Sequence, residues 1–175
     1  DGPTVSGDGR VVVFRSAAGN LVPGDTNATW DVFAHDRSSG VTTRVSVASD
    51  GSQANNGCYL PAVSGDGRYV AFMSLATNLV PGDTNAAGDV FVHDRLTGVT
   101  SRVSVSSAGV QVSGEATSPA ISRDGRLVSF VSSASNLVPG DTGERDVFVH
   151  DRLTGVTTRV SISSSGASGG ELGTR

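Results

Sequence analysis

Large apolar residues alternate with small or polar ones in short runs along the whole chain. In Arg68-Tyr69-Val70-Ala71-Phe72-Met73-Ser74, Val70 and Phe72 fall on one face at period two, which predicts a strand. Pro61-Ala62-Val63-Ser64 predicts a shorter strand before it. The two are joined by Ser64-Gly65-Asp66-Gly67, where Gly supplies a positive φ and Asp bonds its own backbone. A longer connection, residues 78–88, leads to a third predicted strand, Asp89-Val90-Phe91-Val92-His93. Asp94-Arg95-Leu96-Thr97-Gly98 has Asp first and Gly last, as a type I turn with a left-handed last residue requires. Residues 99–105 predict a fourth strand. No helical period persists beyond one turn, so the pattern predicts an all-β protein.

The same pattern occurs three times. Asp8-Gly9-Arg10 returns as Asp66-Gly67-Arg68 and Asp124-Gly125-Arg126, each step being 58 residues. Asn20-Leu21-Val22-Pro23-Gly24-Asp25-Thr26 returns at 78–84 and 136–142, and His35-Asp36-Arg37 at 93–95 and 150–152. One residue is missing from the third copy, between Asp141 and Asp146. The chain thus divides into repeats 3–60, 61–118 and 119–175. A tandem unit of four antiparallel strands predicts β-propeller blades, three in this chain. A β-trefoil, the competing threefold architecture, uses shorter repeats.

The residues that define the unit also carry a family resemblance. Ser-x-Asp-Gly-Arg followed by Val-x-Phe-x-Ser, and later Asp-Val-Phe-Val-His-Asp-Arg-Leu-Thr-Gly, resembles the TolB-like (WD-type) β-propeller repeat. The Asn-Leu-Val-Pro-Gly-Asp-Thr segment resembles a bacterial subset of such repeats found in secreted and surface proteins. The resemblance implies a propeller in an extracellular, cell-surface or periplasmic setting. It implies little about activity, because propellers host unrelated functions. It also suggests a six-bladed ring, which two copies of this chain, or further blades of a longer one, would complete.

Composition narrows the choice of partners. The 175 residues include 23 Gly and are 37% hydrophobic, too apolar for a disordered chain and rich enough in Gly for many turns. The net charge is −4, which argues against a nucleic-acid footprint, and no apolar run is long enough for a membrane span. All 13 basic residues are Arg, and Asp greatly outnumbers Glu, as turn-rich chains prefer. The chain opens at Asp1 without Met or an apolar leader, as expected of a processed or excised segment. The single cysteine, Cys58, is expected to be a small residue near a strand end.

Most candidate chemistry reads as structure. His35, His93 and His150 occupy one repeat position on separate blades, beside aspartates that begin a turn. No serine sits in a Gly-x-Ser-x-Gly strand-to-helix elbow, and neither Ser113 nor Ser122 has an evident His and Asp partner. The Gly-rich segment 165–170 lacks both a following helix and a Lys, so it predicts an interblade loop rather than a phosphate site. The sequon Asn27-Ala28-Thr29 carries no weight in a bacterial protein. Arg10, Arg68 and Arg126, and likewise Arg44, Arg102 and Arg159, are expected to pair with the turn aspartates. Trp30 and Tyr59, the aromatics suited to sugar stacking, stand at different repeat positions.

One constellation suggests a metal. Asp25, Asn27 and Asp31, and again Asp83, Asn85 and Asp89, place oxygen side chains at relative positions 1, 3 and 7. Calcium takes six to eight hard oxygens, and short Asp/Asn loops supply them. The third loop keeps Asp141 and Asp146 but has lost its Asn and gained Arg145, so a weaker or empty site is expected there. The expectation is a structural Ca2+ and no catalytic residue. The alternative is that Asp25 and Asn27 cap a turn while Asp31 pairs with an Arg. Together these features point to a non-enzymatic exported scaffold for protein interaction. The alternatives are the propeller portion of a larger hydrolase or peptidase, and a carbohydrate-binding module.

Overall fold

The computed structural model describes residues 2–166; the end of the third repeat and most of the Gly-rich segment lie outside them. The first sheet contains β1 (Thr4–Val5), β2 (Val11–Ser16), β3 (Asp31–Asp36) and β4 (Val41–Arg44). The second contains β5 (Cys58–Val63), β6 (Tyr69–Ser74), β7 (Asp89–Asp94) and β8 (Val99–Arg102). The third contains β9 (Ala116–Ile121), β10 (Leu127–Ser132), β11 (Asp146–Asp151) and β12 (Val156–Arg159). Each sheet is antiparallel with its four strands in sequence order. The chain is all-β and forms three four-stranded blades.

Two strand ends differ from expectation, each for a local reason. The inner strand of the second blade starts at Cys58 rather than Pro61 and carries a bulge, its register shifting between Tyr59 and Ala62. Pro61 has no N–H to give the ladder, so it sits where pairing is interrupted, beside Leu60 in the left-handed region (φ 53°). Ser118 repeats this before Pro119. The outer strand stops at Arg102, not Val105. The Ser104 hydroxyl accepts the Val90 N–H at 3.1 Å and donates to Asp89 at 2.6 Å, so a side chain takes over from the ladder.

Phe14, Phe72 and Phe130 lie directly opposite Phe33, Phe91 and Phe148, with ring centroids 5.9, 6.0 and 5.8 Å apart. These pairs give each blade a phenylalanine face, and its other face is aliphatic. Val11, Val13, Ala34 and Val45 of the first blade pack on Val70, Phe72 and Phe91 of the second. Ala71, Val92 and Val103 of the second pack on Val128, Phe130 and Phe148 of the third. Five phenylalanines are buried. Phe14 is only half-buried, as no blade among the described residues packs on that face of the first sheet.

Candidate functional site

The eight proposed metal ligands lie in three clusters, one per blade, where the long loop meets the start of the third strand. In the first, the Arg44 guanidinium lies 3.0 Å from Asp25 and 3.5 Å from Asp31. Asn27 directs its amide N–H at Asp31 Oδ2 (2.9 Å) and at the Ala54 carbonyl, and Ser46 donates to Asp31 Oδ1. The second cluster has the same plan. Arg102 lies 3.5 Å from Asp83 and 3.4 Å from Asp89, while Asn85 and Gln111 donate to Asp89. In the third, Arg159 lies 3.9 Å from Asp141 and 3.2 Å from Asp146.

The aspartate and arginine side chains of the clusters are almost wholly withdrawn from water, and burial raises the Asp89 carboxyl above its ordinary range. Paired aspartates at such sites need a cation. Here it is an arginine of the outer strand, so calcium would have to displace a guanidinium already seated on both carboxylates. Asn27 and Asn85 also present amide hydrogens to Asp31 and Asp89, a donor role opposite to that of a calcium ligand. Among the described residues, no group of three His, Cys, Asp or Glu side chains is placed to hold a metal ion. The third cluster has no Asn, and Arg145 lines a shallow recess with Glu115 and Thr117.

Ser46, Ser104, Ser161, Gln53 and Gln111 were not anticipated as parts of these clusters. Their signal was the repeat itself, because the serines recur at one position and so do the two glutamines. Gln53 accepts from Arg44 at 2.8 Å, and Gln111 donates to Asp83 at 2.9 Å.

The recurrent histidines have a settled partner. In His35, His93 and His150 alike, Nδ1 is 2.9 Å from the hydroxyl of Thr42, Thr100 or Thr157. Burial lowers the pKa of His93 and His150, favouring neutral imidazoles. Arg10, Arg68 and Arg126 pair with Asp36, Asp94 and Asp151 at 2.7, 2.7 and 2.6 Å, holding those carboxyls well below the usual range. Ser122 donates to Asp124 within its own turn. Cys58 is buried at the start of β5, with its sulfur 3.1 Å from the Ser74 hydroxyl.

Two surface features remain. Asp8, Asp66 and Asp124, from the three inner turns, line one open concavity of about 780 Å³ together with Arg123. Trp30 and Tyr59, which stand apart in the repeat, come together around Arg15, whose guanidinium carbon is 4.7 Å from the Trp30 ring and 5.5 Å from Tyr59.

Stacked four-stranded blades of this kind define a β-propeller-like fold, and comparison with solved structures agrees. A putative TolB from Agrobacterium tumefaciens superimposes with a TM-score of 0.54 at 19% identity, covering 89% of this chain and 46% of that one. The β-propeller domain of the Trilobed protease from Pyrococcus furiosus gives 0.54 at 14% identity, covering 90% and 40%. Porphyromonas gingivalis dipeptidyl peptidase 4 gives 0.54 at 16%, covering 90% and 25%. The chain therefore spans less than half the length of these structures. It matches no protein-family model and no curated protein.

Proposed function

We propose that the chain is a non-enzymatic propeller module of an exported bacterial protein, acting as a structural and protein-interaction scaffold. Repetition supports this reading. The histidines, aspartates and arginines that recur from blade to blade are engaged by equivalent partners within each blade. A catalytic pocket built on such a frame would require one blade to depart from the others where its reactive groups converge. The exported setting rests on the resemblance to repeats of secreted and surface proteins. Treatment with a fluorophosphonate probe and assay against aminoacyl p-nitroanilides and p-nitrophenyl esters test the reading. No labelled serine and no turnover are expected. A stoichiometrically labelled serine would move the chain to the hydrolase alternative.

A second reading rests on Trp30, Tyr59 and Arg15, which form an aromatic and cationic patch absent from the other blades. Such patches suit the apolar face of a sugar ring flanked by hydroxyls. Trp30 is the single tryptophan and is 42% exposed, so its fluorescence reports binding directly. Saturable quenching or a blue shift with oligosaccharides would favour this reading, and an unchanged spectrum would dismiss it.

A further inference from the structure

The turns of successive blades meet at two seams internal to the chain, and one seat at these seams is filled differently. Val11 and Tyr69 occupy the same repeat position, directly after Arg10 and Arg68. Each rests on the inner-turn glycine of the next blade. A Cβ on Gly67 would collide with Val11, and one on Gly125 with Tyr69. Both glycines have left-handed backbones, so the conformation and the space both require Gly.

At the second seam the Tyr69 ring is shared by two cations. The guanidinium carbon of Arg68 lies 4.7 Å from the ring centroid and that of Arg152 lies 4.3 Å from it. The π electrons of the ring offset both charges. At the first seam the equivalent cations are Arg10 and Arg95, and the valine in that seat has no π face to give them.

Arg95 is left short of partners as a result. It is half-buried, and among the described residues its guanidinium makes one hydrogen bond, from Nη1 to the Gly67 carbonyl at 2.6 Å. Its Nε is enclosed without an acceptor. Burial lowers its pKa; the Asp36 carboxylate opposes that effect and the Arg10 charge adds to it. Arg10 spends Nε and Nη2 on Asp36 at 3.0 and 2.7 Å, which leaves Nη1 available on a side chain that is 57% exposed.

Arg10, Arg68 and Arg95 line one recess of about 260 Å³ together with Asp36 and Asp66. Asp66 already accepts from the Ser64 hydroxyl and the Arg68 N–H. Arg10 and Arg68 are matched by Asp36 and Asp94, so Arg95 is the cation of this recess with no carboxylate in contact. We infer that the recess binds a tetrahedral oxyanion, phosphate or sulfate, between Arg10 and Arg95. Such an ion has oxygens enough to meet N–H groups arriving from two blades, whereas a carboxylate offers two oxygens in one plane. The second seam, with Tyr69 in its seat, takes no such ion.

Titration of the 175-residue chain with sodium phosphate and sodium sulfate at constant ionic strength, followed by amide NMR, tests this. A single saturable site is expected, with shifts centred on Gly67 and Leu96, and acetate should bind more weakly than either ion. Tighter binding of glycerol phosphate than of inorganic phosphate would assign the site to a phosphoryl group on a larger molecule, and the reverse to the free ion. Arg10→Gln and Arg95→Gln should each weaken binding about tenfold, the worth of a charge-assisted hydrogen bond. Arg145→Gln, at an exposed residue of another recess, should leave binding unchanged. Exchanging the seat is the more demanding test. Val11→Tyr gives the first seam the ring of the second and should abolish binding, while Tyr69→Val should create a second site beside Arg152. Circular dichroism establishes that each variant is folded. Absence of saturable binding by the wild-type chain would overturn the inference. So would folded seat variants, or folded Arg10 and Arg95 variants, that bind as the wild type does.

Discussion

Phe72→Ala is the sharpest test of the packing. Phe72 is fully buried, stacks on Phe91 at 6.0 Å and lies among Val13, Val45 and Leu79 at the first interblade seam. Removing the ring forfeits its transfer free energy and leaves a cavity that two twisted sheets cannot close around, at a cost of about 3–5 kcal/mol. For a domain of this size each kcal/mol lowers Tm by about 2–4 °C, so a fall of roughly 6–20 °C is expected. Urea denaturation followed by circular dichroism gives the free energy, and an unchanged m-value would assign the loss to the folded state. Phe14 supplies an internal comparison, because it occupies the same repeat position on an uncovered flank. Phe14→Ala should cost distinctly less than Phe72→Ala. If Phe72→Ala cost under about 1 kcal/mol, no more than a typical surface change, the assignment of blade faces would be wrong.

Four further outcomes follow from the same geometry. Burial lowers the pKa of His93 and His150, so the unfolded chain takes up protons below about pH 6.5 that the folded chain does not. Tm should therefore fall as pH drops below that value, and a flat profile between pH 8 and 5 would contradict it. A second decline should begin below about pH 3.8, where Asp36, Asp94 and Asp151 lose their advantage over the unfolded state. Because Arg102 already serves the carboxylates of Asp83 and Asp89, Tm should be indifferent to calcium and chelator, and Arg102→Met should cost about 3–5 kcal/mol; a calorimetric titration finding two calcium sites per chain would instead bear out the metal expectation. Burial pushes the Cys58 thiol up to about 12, so a thiol reagent should react with it only on unfolding.

The blades were legible in the sequence because period-two alternation and turn chemistry are local. Val70 and Phe72 fix which face is which, and Asp66 with Gly67 fixes the turn, without knowledge of the neighbouring blade. Two kinds of information were not legible. Strand ends depend on side chains that replace backbone partners, as Ser104 does for Val90, and a hydroxyl in a β-like run gives no sign of this. The partner of a charged group depends on which strand lies opposite. Asp25, Asn27 and Asp31 have the spacing of a cation loop, but the residue across from them, Arg44, comes from a strand more than ten positions away. Likewise, Trp30 and Tyr59 occupy different repeat positions, yet they meet because one blade ends where the next begins.

The strand order has a consequence for how the chain reaches this state. Every ladder joins strands consecutive in sequence, so all four strands of a blade can pair before any neighbouring blade exists. The longest loop to be closed within a blade is the connection between its second and third strands, and loop-closure entropy grows only slowly with length. Contact order therefore stays low for an all-β protein, and folding should proceed as local hairpin assembly followed by zippering of one blade onto the next, as in other tandem-repeat arrays. The rate-limiting event should then lie at the seams and not in the strands. Substitutions at Phe72 or Val13 should slow refolding, while those in the hairpin turn at Thr97 should mainly alter the early, fast phase.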